Sequence, residues 1–207
     1  MRKIKTGIIG IGNMGTSHAI NLTEDHCPEM ELTAVADTSP ERRAWAKENL
    51  PGVCVYGTAE ELLDSGRIEA VIIAVPHYFH PVYAIEAFKR GIHVMSEKPA
   101  GVYTKQVREM NKAAAESGVV FGLMFNQRTD HIYRKMRELV TSGKFGQIRR
   151  SNWLITNWYR PQAYYDSGDW RATWDGEGGG VLLNQAPHNL DLWQWIFGMP
   201  SKIRAFC

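Results

Sequence analysis

The stretch GIGNMG, residues 10–15, decides the fold of this chain because it directly follows an apolar run that ends at Ile9. In the order strand, glycine-rich turn and helix, one glycine permits the tight turn. A second lets a ligand approach the backbone, and a third lets the helix pack on the strand. Backbone N–H groups at such a helix start favour a pyrophosphate. We therefore predict a dinucleotide site whose cofactor contacts are Gly10, Gly12, Asn13, Met14 and Gly15.

An acidic residue follows the second predicted strand. That strand covers residues 31–36, and Asp37 stands at its carboxyl end. A carboxylate in this place accepts hydrogen bonds from ribose hydroxyls and repels a 2′-phosphate, which favours NAD over NADP. Arg42 and Arg43, at the start of the next predicted helix, leave NADP open as the alternative cofactor because either one would reach a 2′-phosphate.

Strands and helices alternate up to residue 125. The apolar runs predict strands at 3–9, 31–36, 53–56, 69–75, 92–95 and 119–125. Helices are predicted between them at 40–49, 59–65, 82–90 and 104–117. This alternation with short connections is typical of the α/β class with a doubly wound parallel sheet. We assign residues 1–125 to a dinucleotide-binding (Rossmann) domain.

Lys98 follows the fifth predicted strand, in the run SEKP at 96–99. The carboxyl ends of strands in a doubly wound sheet face the ligand crevice. A lysine placed there exchanges a proton with a substrate hydroxyl when its surroundings tune its pKa. An ordinary surface lysine before a loop proline is the other interpretation, and the motifs on both sides favour the catalytic one.

The composition changes after residue 126. Residues 151–207 contain all but one of the seven tryptophans, and we predict a basic amphipathic helix at 130–142 and a strand at 147–156. The loop 158–175, beginning at Trp158, interleaves aromatic and charged residues, a mixture that suits the C–H faces and hydroxyls of a sugar. A second hydrophobic core is the alternative, and single-stranded nucleic acid is another. A net charge of only +2 argues against nucleic acid.

A glycine run leads into the last predicted helix, in the stretch GGGVLLNQAPHNLDL at 178–192. Pro187 is tolerated only in a first helical turn, so the helix should begin near 184–186. Asn184 and His188 are then four residues apart and share one face. This face is a candidate for ligand contact, although many histidines on amphipathic helices are ordinary core or surface residues.

These stretches, together with Asp37 and VPHYFHP at 75–81, resemble the glucose–fructose oxidoreductase / inositol dehydrogenase (Gfo/Idh/MocA) family over essentially the whole chain. The resemblance implies a nicotinamide-binding domain followed by an α+β domain with an open, mainly antiparallel sheet, at 126–207. It also implies hydride transfer between NAD(P) and a hydroxyl-bearing carbon of a sugar, polyol or sugar derivative.

The resemblance also assigns roles to individual residues. Lys98 matches the catalytic lysine, His188 the catalytic histidine, and His80 the histidine near the nicotinamide. Asn184 stands where the best-known pattern has aspartate, and an amide orients a hydroxyl but cannot take its proton. The further expected cofactor contacts are Pro76, His80, Glu97 and Lys98, and the expected substrate contacts are Lys98, Trp170, Arg171, Trp174, Asn184 and His188.

The chain ends within what looks like a strand, although the family's second domain normally needs roughly another hundred residues. We therefore expect an incomplete substrate and oligomerisation domain at 126–207, and a homo-oligomer when the protein is full length. A catalytically silent nicotinamide-binding sensor or regulatory protein, or an inactive fragment of such an enzyme, is the alternative function.

Composition limits the remaining classes. The chain of 207 residues is 44% hydrophobic and 22% charged, as in ordinary globular proteins. Cys27, Cys54 and Cys207 have neither zinc-site nor disulfide-framework spacing, so we predict no metal. No apolar run approaches a membrane span or a signal peptide. The prediction is a cytoplasmic protein with a small-molecule partner, acting without membrane or nucleic acid.

Overall fold

The structure is a computed structural model that describes residues 2–156, 159–168 and 170–206. One parallel sheet of six strands has the order β3-β2-β1-β4-β5-β6. Its strands are β1 (Ile4–Ile9), β2 (Met30–Ala36), β3 (Cys54–Tyr56), β4 (Ala70–Ile73), β5 (His93–Ser96) and β6 (Phe121–Leu123). This is the strand order of doubly wound dinucleotide-binding folds, so the predicted α/β class is confirmed.

Helices cover both faces of the sheet. They are α1 (Asn13–Thr23), α2 (Pro40–Asn49), α3 (Ala59–Leu63), α4 (His80–Lys89) and α5 (Thr104–Ser117). Neighbouring strand residues point to opposite faces, and accordingly Ile8 packs in one buried cluster with Leu22 and Val35, whereas Ile9 packs in the other with Val71. The strands are buried on both sides, which accounts for their continuous apolar runs.

The crevice for a ligand lies where the strand order reverses, between β1 and β4. The chain leaves β1 into the GIGNMG turn and leaves β5 into Glu97 and Lys98. The Glu97 N–H donates to the Ile73 carbonyl at 2.9 Å, which ties the end of β5 to the end of β4. The backbone of the sheet thus brings the fingerprint and the lysine to one edge.

The second part of the chain is helical in the described ranges. It contains α6 (His131–Thr141), α7 (Gln162–Asp166), α8 (Trp174–Glu177), α9 (Val181–Asn184) and α10 (Pro187–Phe197). Arg128, just before α6, donates from Nε to Asp191 Oδ2 on α10 at 2.8 Å. This ion pair joins the connection after β6 to the last helix. None of the helices in the described ranges is long and apolar enough to cross a membrane.

Two sequence expectations for this part differ from the structure. The predicted strand at 147–156 is wrong, because these residues form no ladder and every strand in the described ranges belongs to the Rossmann sheet. A strand needs a partner, and alternation of residues alone does not supply one. The last helix does begin as expected, with Ala186 at its N-cap and Pro187 in its first turn. The second difference is that Asn184 ends the separate short helix α9, so Asn184 and His188 do not share a face of one helix.

Candidate active site

A cavity of about 810 Å³ opens at the carboxyl ends of the strands and is bounded by both parts of the chain. Gly10 and Asp37 line it from the first two strands, and Lys98 lines it after β5. Trp170 and His188 close it from the second part. Residues far apart in sequence therefore line one open cavity of the size that ligand sites have.

The fingerprint glycines make room at one end of the cavity. Gly10 has a φ of +92°, and a Cβ there would meet the Ala74 carbonyl oxygen at 2.5 Å. Gly12 lines the cavity and has nothing within 4 Å of its missing Cβ, which leaves its backbone open to a ligand. Gly15 does not line the cavity, because it packs against Gly10 and lets α1 approach the turn. Asn13 and Met14 line the cavity. This cradle fits a pyrophosphate.

Asp37 is held at the same end by two backbone donors. Its Oδ2 accepts from the Ile11 N–H at 2.7 Å, and its Oδ1 accepts from the Ser39 N–H at 2.8 Å. Of the two arginines that leave NADP open, Arg43 donates to the backbone carbonyls of residues 37 and 38 at 2.8 Å. Arg42 lines the cavity, so only Arg42 is placed to meet a 2′-phosphate.

Lys98 reaches across the cavity to the second part of the chain. Its Nζ donates to the Asn184 carbonyl oxygen at 2.7 Å and contacts Asn184 Oδ1 at 3.3 Å. Burial is the largest influence and lowers the pKa of Lys98. The neighbouring Glu97 opposes that decrease, whereas the positive charge of Arg171 adds to it. A lysine with a lowered pKa is a better proton acceptor near neutral pH.

Glu97 is buried beside the lysine and bonded to a residue that the motif reading did not include. His18 Nε2 on α1 lies 2.8 Å from Glu97 Oε1. Burial by itself would raise the pKa of Glu97, but the His18 bond and the Lys98 charge outweigh it, so the pKa lies below its usual value. His18 lies one helical turn after the fingerprint, and this position is the only feature of the sequence that could have indicated a role for it in the site.

Glu177 was also missed, although it organises the opposite wall. Its side chain is only 6% exposed, and Asn184 Nδ2 donates to its Oε1. Its backbone carbonyl accepts from His77 Nδ1 at 2.8 Å. Asn184 therefore bridges Lys98 and Glu177, with its oxygen toward the lysine and its NH₂ toward the carboxylate. No motif marks Glu177, since a glutamate before a glycine run is normally read as solvated loop.

The histidines of the VPHYFHP stretch are buried. His80 has both ring nitrogens 2.7 Å from carbonyl oxygens, of Pro99 and Val75, which fixes the ring between the ends of β4 and β5. Burial lowers the pKa of His80. Burial also lowers the pKa of His77 to about 4, so His77 is neutral at physiological pH. His77, His80 and Pro76 all line the cavity.

His188 lines the cavity from α10. Its Nδ1 is buried without a hydrogen-bond partner among the described residues. Burial, followed by the charge of Lys98, lowers the pKa of His188. A neutral imidazole has one donor and one acceptor nitrogen, so His188 can hydrogen-bond a ligand in the cavity that it lines.

The expected substrate contacts after residue 158 divide into two groups. Trp170 and Arg171 line the cavity, and the Trp170 ring meets the His77 ring edge-on at 5.2 Å. Trp174 does not line the cavity, because it opens the short helix α8 with its side chain 79% exposed. Trp158 and Asp169, in the same aromatic loop, lie outside the described residues.

Residues 4–125 match the family described as "Oxidoreductase family, NAD-binding Rossmann fold", and residues 133–207 match the "GFO/IDH/MocA C-terminal domain". The chain belongs to this family. The predicted resemblance is thereby confirmed, and the first part of this family member is a Rossmann domain of the NAD-binding type. Its second part matches the C-terminal domain of the same family.

Solved structures of other family members superimpose well. The WlbA dehydrogenase from Bordetella pertussis, solved in complex with NADH and UDP-GlcNAcA, has a TM-score of 0.83 and 32% identity, covering 95% of this chain and 60% of that one. The scyllo-inositol dehydrogenase from Lactobacillus casei, with bound NAD(H) and scyllo-inositol, has a TM-score of 0.79 and 30% identity, covering 95% and 57%.

Among curated relatives, the 1-carboxy-3-chloro-3,4-dihydroxycyclohexa-1,5-diene dehydrogenase of Comamonas testosteroni is 30% identical over 91% of this chain and 46% of its own length. The scyllo-inositol 2-dehydrogenase (NADP(+)) IolW of Bacillus subtilis (strain 168) is 27% identical over 98% of this chain and 54% of its own length. The chain thus spans about half the length of these relatives.

Proposed function

We propose that this protein is an NAD(P)-dependent oxidoreductase that transfers a hydride between nicotinamide and a hydroxyl-bearing carbon of a sugar, polyol or sugar derivative. The observation that carries the proposal is the Lys98–Asn184 contact across the cavity that also contains the fingerprint cradle. A half-buried lysine with a lowered pKa and a neutral histidine face the same space as the glycines. The relatives' names include inositols, a carboxy-substituted dihydroxy ring and a complex with UDP-GlcNAcA, and thus leave the substrate open.

The residues of the first domain would hold the cofactor. Gly10, Gly12 and Asn13 would receive the pyrophosphate, and Asp37 would accept from the adenosine ribose, which favours NAD. Pro76 and His80 line the cavity farther along, toward Lys98. When bound, the nicotinamide supplies the hydride acceptor or donor for the reaction.

Proton transfer would be performed by Lys98. In the oxidation direction its neutral amine takes the proton of the substrate hydroxyl, and His188 hydrogen-bonds the same hydroxyl. Asn184 would act on the lysine, because its two oxygens accept from Nζ and its NH₂ donates to Glu177. Glu177 would then be a positioning residue that fixes which end of the Asn184 amide faces Lys98.

The experiment is an absorbance assay of NAD(P)H formation over a panel of sugars, polyols and sugar acids. Turnover of at least one member supports the proposal. Tight cofactor binding by calorimetric titration, together with the absence of turnover over the whole panel, would contradict it and indicate a nicotinamide-binding sensor instead.

A further inference from the structure

Charged residues of both signs surround the part of the cavity next to Lys98. Lys98 and Arg171 both line it there, and the electrostatic influence of Arg160 also reaches Lys98. The carboxylates that act on Lys98 are Glu97, which is bonded to His18, and Glu177, which is bonded to Asn184, so neither is bonded to Arg171. Among the described residues Arg171 has only neutral hydrogen-bond partners, and a neutral polyol would not add a charged one.

Arg171 is held in a defined position by neutral groups. Its guanidinium lies 4.3 Å from the ring centroid of Tyr164 and 4.6 Å from that of Trp170. Its Nη1 donates to the Tyr164 hydroxyl at 2.8 Å, and its Nε donates to Ser167 Oγ at 3.2 Å. All four of these residues line the cavity. The arginine is therefore preorganised before any ligand enters.

No carboxylate of the described residues forms an ion pair with Arg171; the acid on the adjoining helix α7, Asp166, accepts from Gln162 instead. A guanidinium has five N–H donors, and the hydrogen bonds of Arg171 to Ser167 and Tyr164 use two of them. A planar, fixed guanidinium with donors to spare binds carboxylate or phosphate in a bidentate manner.

We propose that Arg171, braced by Tyr164 and Trp170, binds an anionic group of the substrate, so that this protein acts on sugar acids or sugar phosphates rather than on neutral sugars. This rests on the proposed function, because it specifies the substrate of the same site. The anion would neutralise Arg171 while a ring hydroxyl is presented to Lys98. Binding to both Arg171 and Lys98 would fix which carbon of the ring faces the nicotinamide.

The test compares matched sugars that differ at one position, where a neutral group is replaced by an anionic one. Glucose with glucuronate and galactose with galacturonate separate the effect of a carboxylate, and glucose 6-phosphate adds a phosphate arm. We expect kcat/KM for the preferred anionic sugar to exceed that of its neutral counterpart at least tenfold. Calorimetric titration of the same sugars, with and without NADH, should show the same preference without requiring turnover.

Variants of Arg171 assign the effect to this residue. Arg171→Gln should lower kcat/KM and affinity for the anionic sugar by about 10- to 100-fold, because charge-assisted hydrogen bonds contribute roughly 1.5–3 kcal/mol. The loss for the neutral counterpart should be markedly smaller, because there only the effect of the Arg171 charge on the pKa of Lys98 is removed. Arg171→Lys should recover part of the loss, since the charge stays but the bidentate geometry goes. Arg108→Gln, on the exposed face of α5, makes the same charge change outside the cavity and should have no effect.

The possible outcomes separate the two proposals. Preference for glucose 6-phosphate over glucuronate supports the anion site and identifies phosphate as its ligand. Equal or better use of neutral sugars, or an equal loss for both kinds in Arg171→Gln, overturns the anion site and leaves the oxidoreductase proposal intact. If no sugar of either kind is bound or turned over, both proposals fail.

Discussion

The two parts of the chain build their halves of the cavity in different ways. In residues 4–125 the site follows strands whose central residues, such as Ile8 and Ile73, are fully buried. In the described residues after 125 the buried hydrophobic side chains are Ala186, Leu192 and Ile196. Large apolar side chains there are exposed instead, including Leu154 at 87% and Phe206 at 96%.

The comparison teaches that backbone hydrogen bonds fix the position of the site residues in the first part of the chain, whereas contacts made by side chains fix the position of those in the second part. The glycine turn and Glu97 are tied into the sheet by main-chain hydrogen bonds. The opposite wall is joined through polar contacts between residues distant in sequence, namely Lys98 with Asn184 and His77 with Glu177. Contacts at the second wall should therefore affect catalysis with little effect on cofactor binding.

The largest expected effect separates catalysis from cofactor binding. Lys98→Ala should lower kcat/KM by about 10²- to 10⁴-fold, the usual contribution of a general acid–base group. The affinity for NAD should change little, because the pyrophosphate cradle is formed by backbone. Steady-state kinetics and calorimetric titration measure the two quantities, and Lys105→Ala on exposed α5 is the matched control. A loss below tenfold in a folded variant would make Lys98 a structural residue.

A pair of leucine truncations tests the difference in packing. Leu62 and Leu192 are both 0% exposed, but Leu62 belongs to the main sheet cluster and Leu192 has few buried neighbours in its part of the chain. Leu62→Ala should lower the free energy of unfolding by about 2–5 kcal/mol, with Leu192→Ala toward the low end because its surroundings collapse more easily. Urea unfolding measures both variants. A larger loss at Leu192 would show that the second part has the better-packed core.

Glu177 provides a test by pH. Its negative charge raises the pKa of Lys98, so Glu177→Gln should lower that pKa further. Because the neutral amine is the proton acceptor, the limb of kcat that rises with pH should then move to lower pH. The other charges that act on Lys98 are those of Glu97, Arg171 and Arg160, and they remain unchanged.

The Glu177 variant also loses the carboxylate that accepts from Asn184, so KM should rise less than kcat falls. Glu177→Asp should restore most of the profile, whereas Glu109→Gln on exposed α5 should leave it unaltered. An unshifted pH profile in Glu177→Gln would show that Glu177 serves packing alone.

The smallest expected effect concerns cofactor choice within the first domain. Asp37→Ala should weaken NAD binding and bring NADP closer to it, because the carboxylate that repels a 2′-phosphate is gone and Arg42 remains at the cavity. Calorimetric titration with both cofactors measures the ratio. Tighter binding of NADP than of NAD by the unaltered protein would contradict the assignment and give Arg42 the deciding role.

Local signals predicted the helices better than the strands. Helices 40–49 and 104–117 were predicted to the residue, since Ser39 and Pro40 mark one start and Gly118, with a φ of +72°, marks one end. Strand ends were extended by up to several residues, because apolar character continues past the last paired residue. The strand at 147–156 failed for a related reason, since its pairing depends on a partner elsewhere.

The sequence motifs predicted the central residues of the site but not the residues that hydrogen-bond to them and hold them in position. Lys98, Asn184 and His188 line one cavity, as the motif order had indicated. His18 and Glu177 were not foreseen, although each contacts an expected site residue. Only the tertiary structure separates Arg42, which lines the cavity, from Arg43, because both stand in the same helical turn.

The sequence by itself determined the alternating elements, the glycine turn and the acid after β2, because each depends on residues within one strand–turn–helix unit. It also determined that Lys98 stands at a strand end. Only the tertiary structure decided that Asn184 joins this lysine to a buried Glu177, and that Tyr164 and Ser167 hold the Arg171 guanidinium at the same cavity. The burial of a side chain and the charges around it depend on contacts between segments that are far apart in the chain, and a local sequence pattern does not contain information about those contacts.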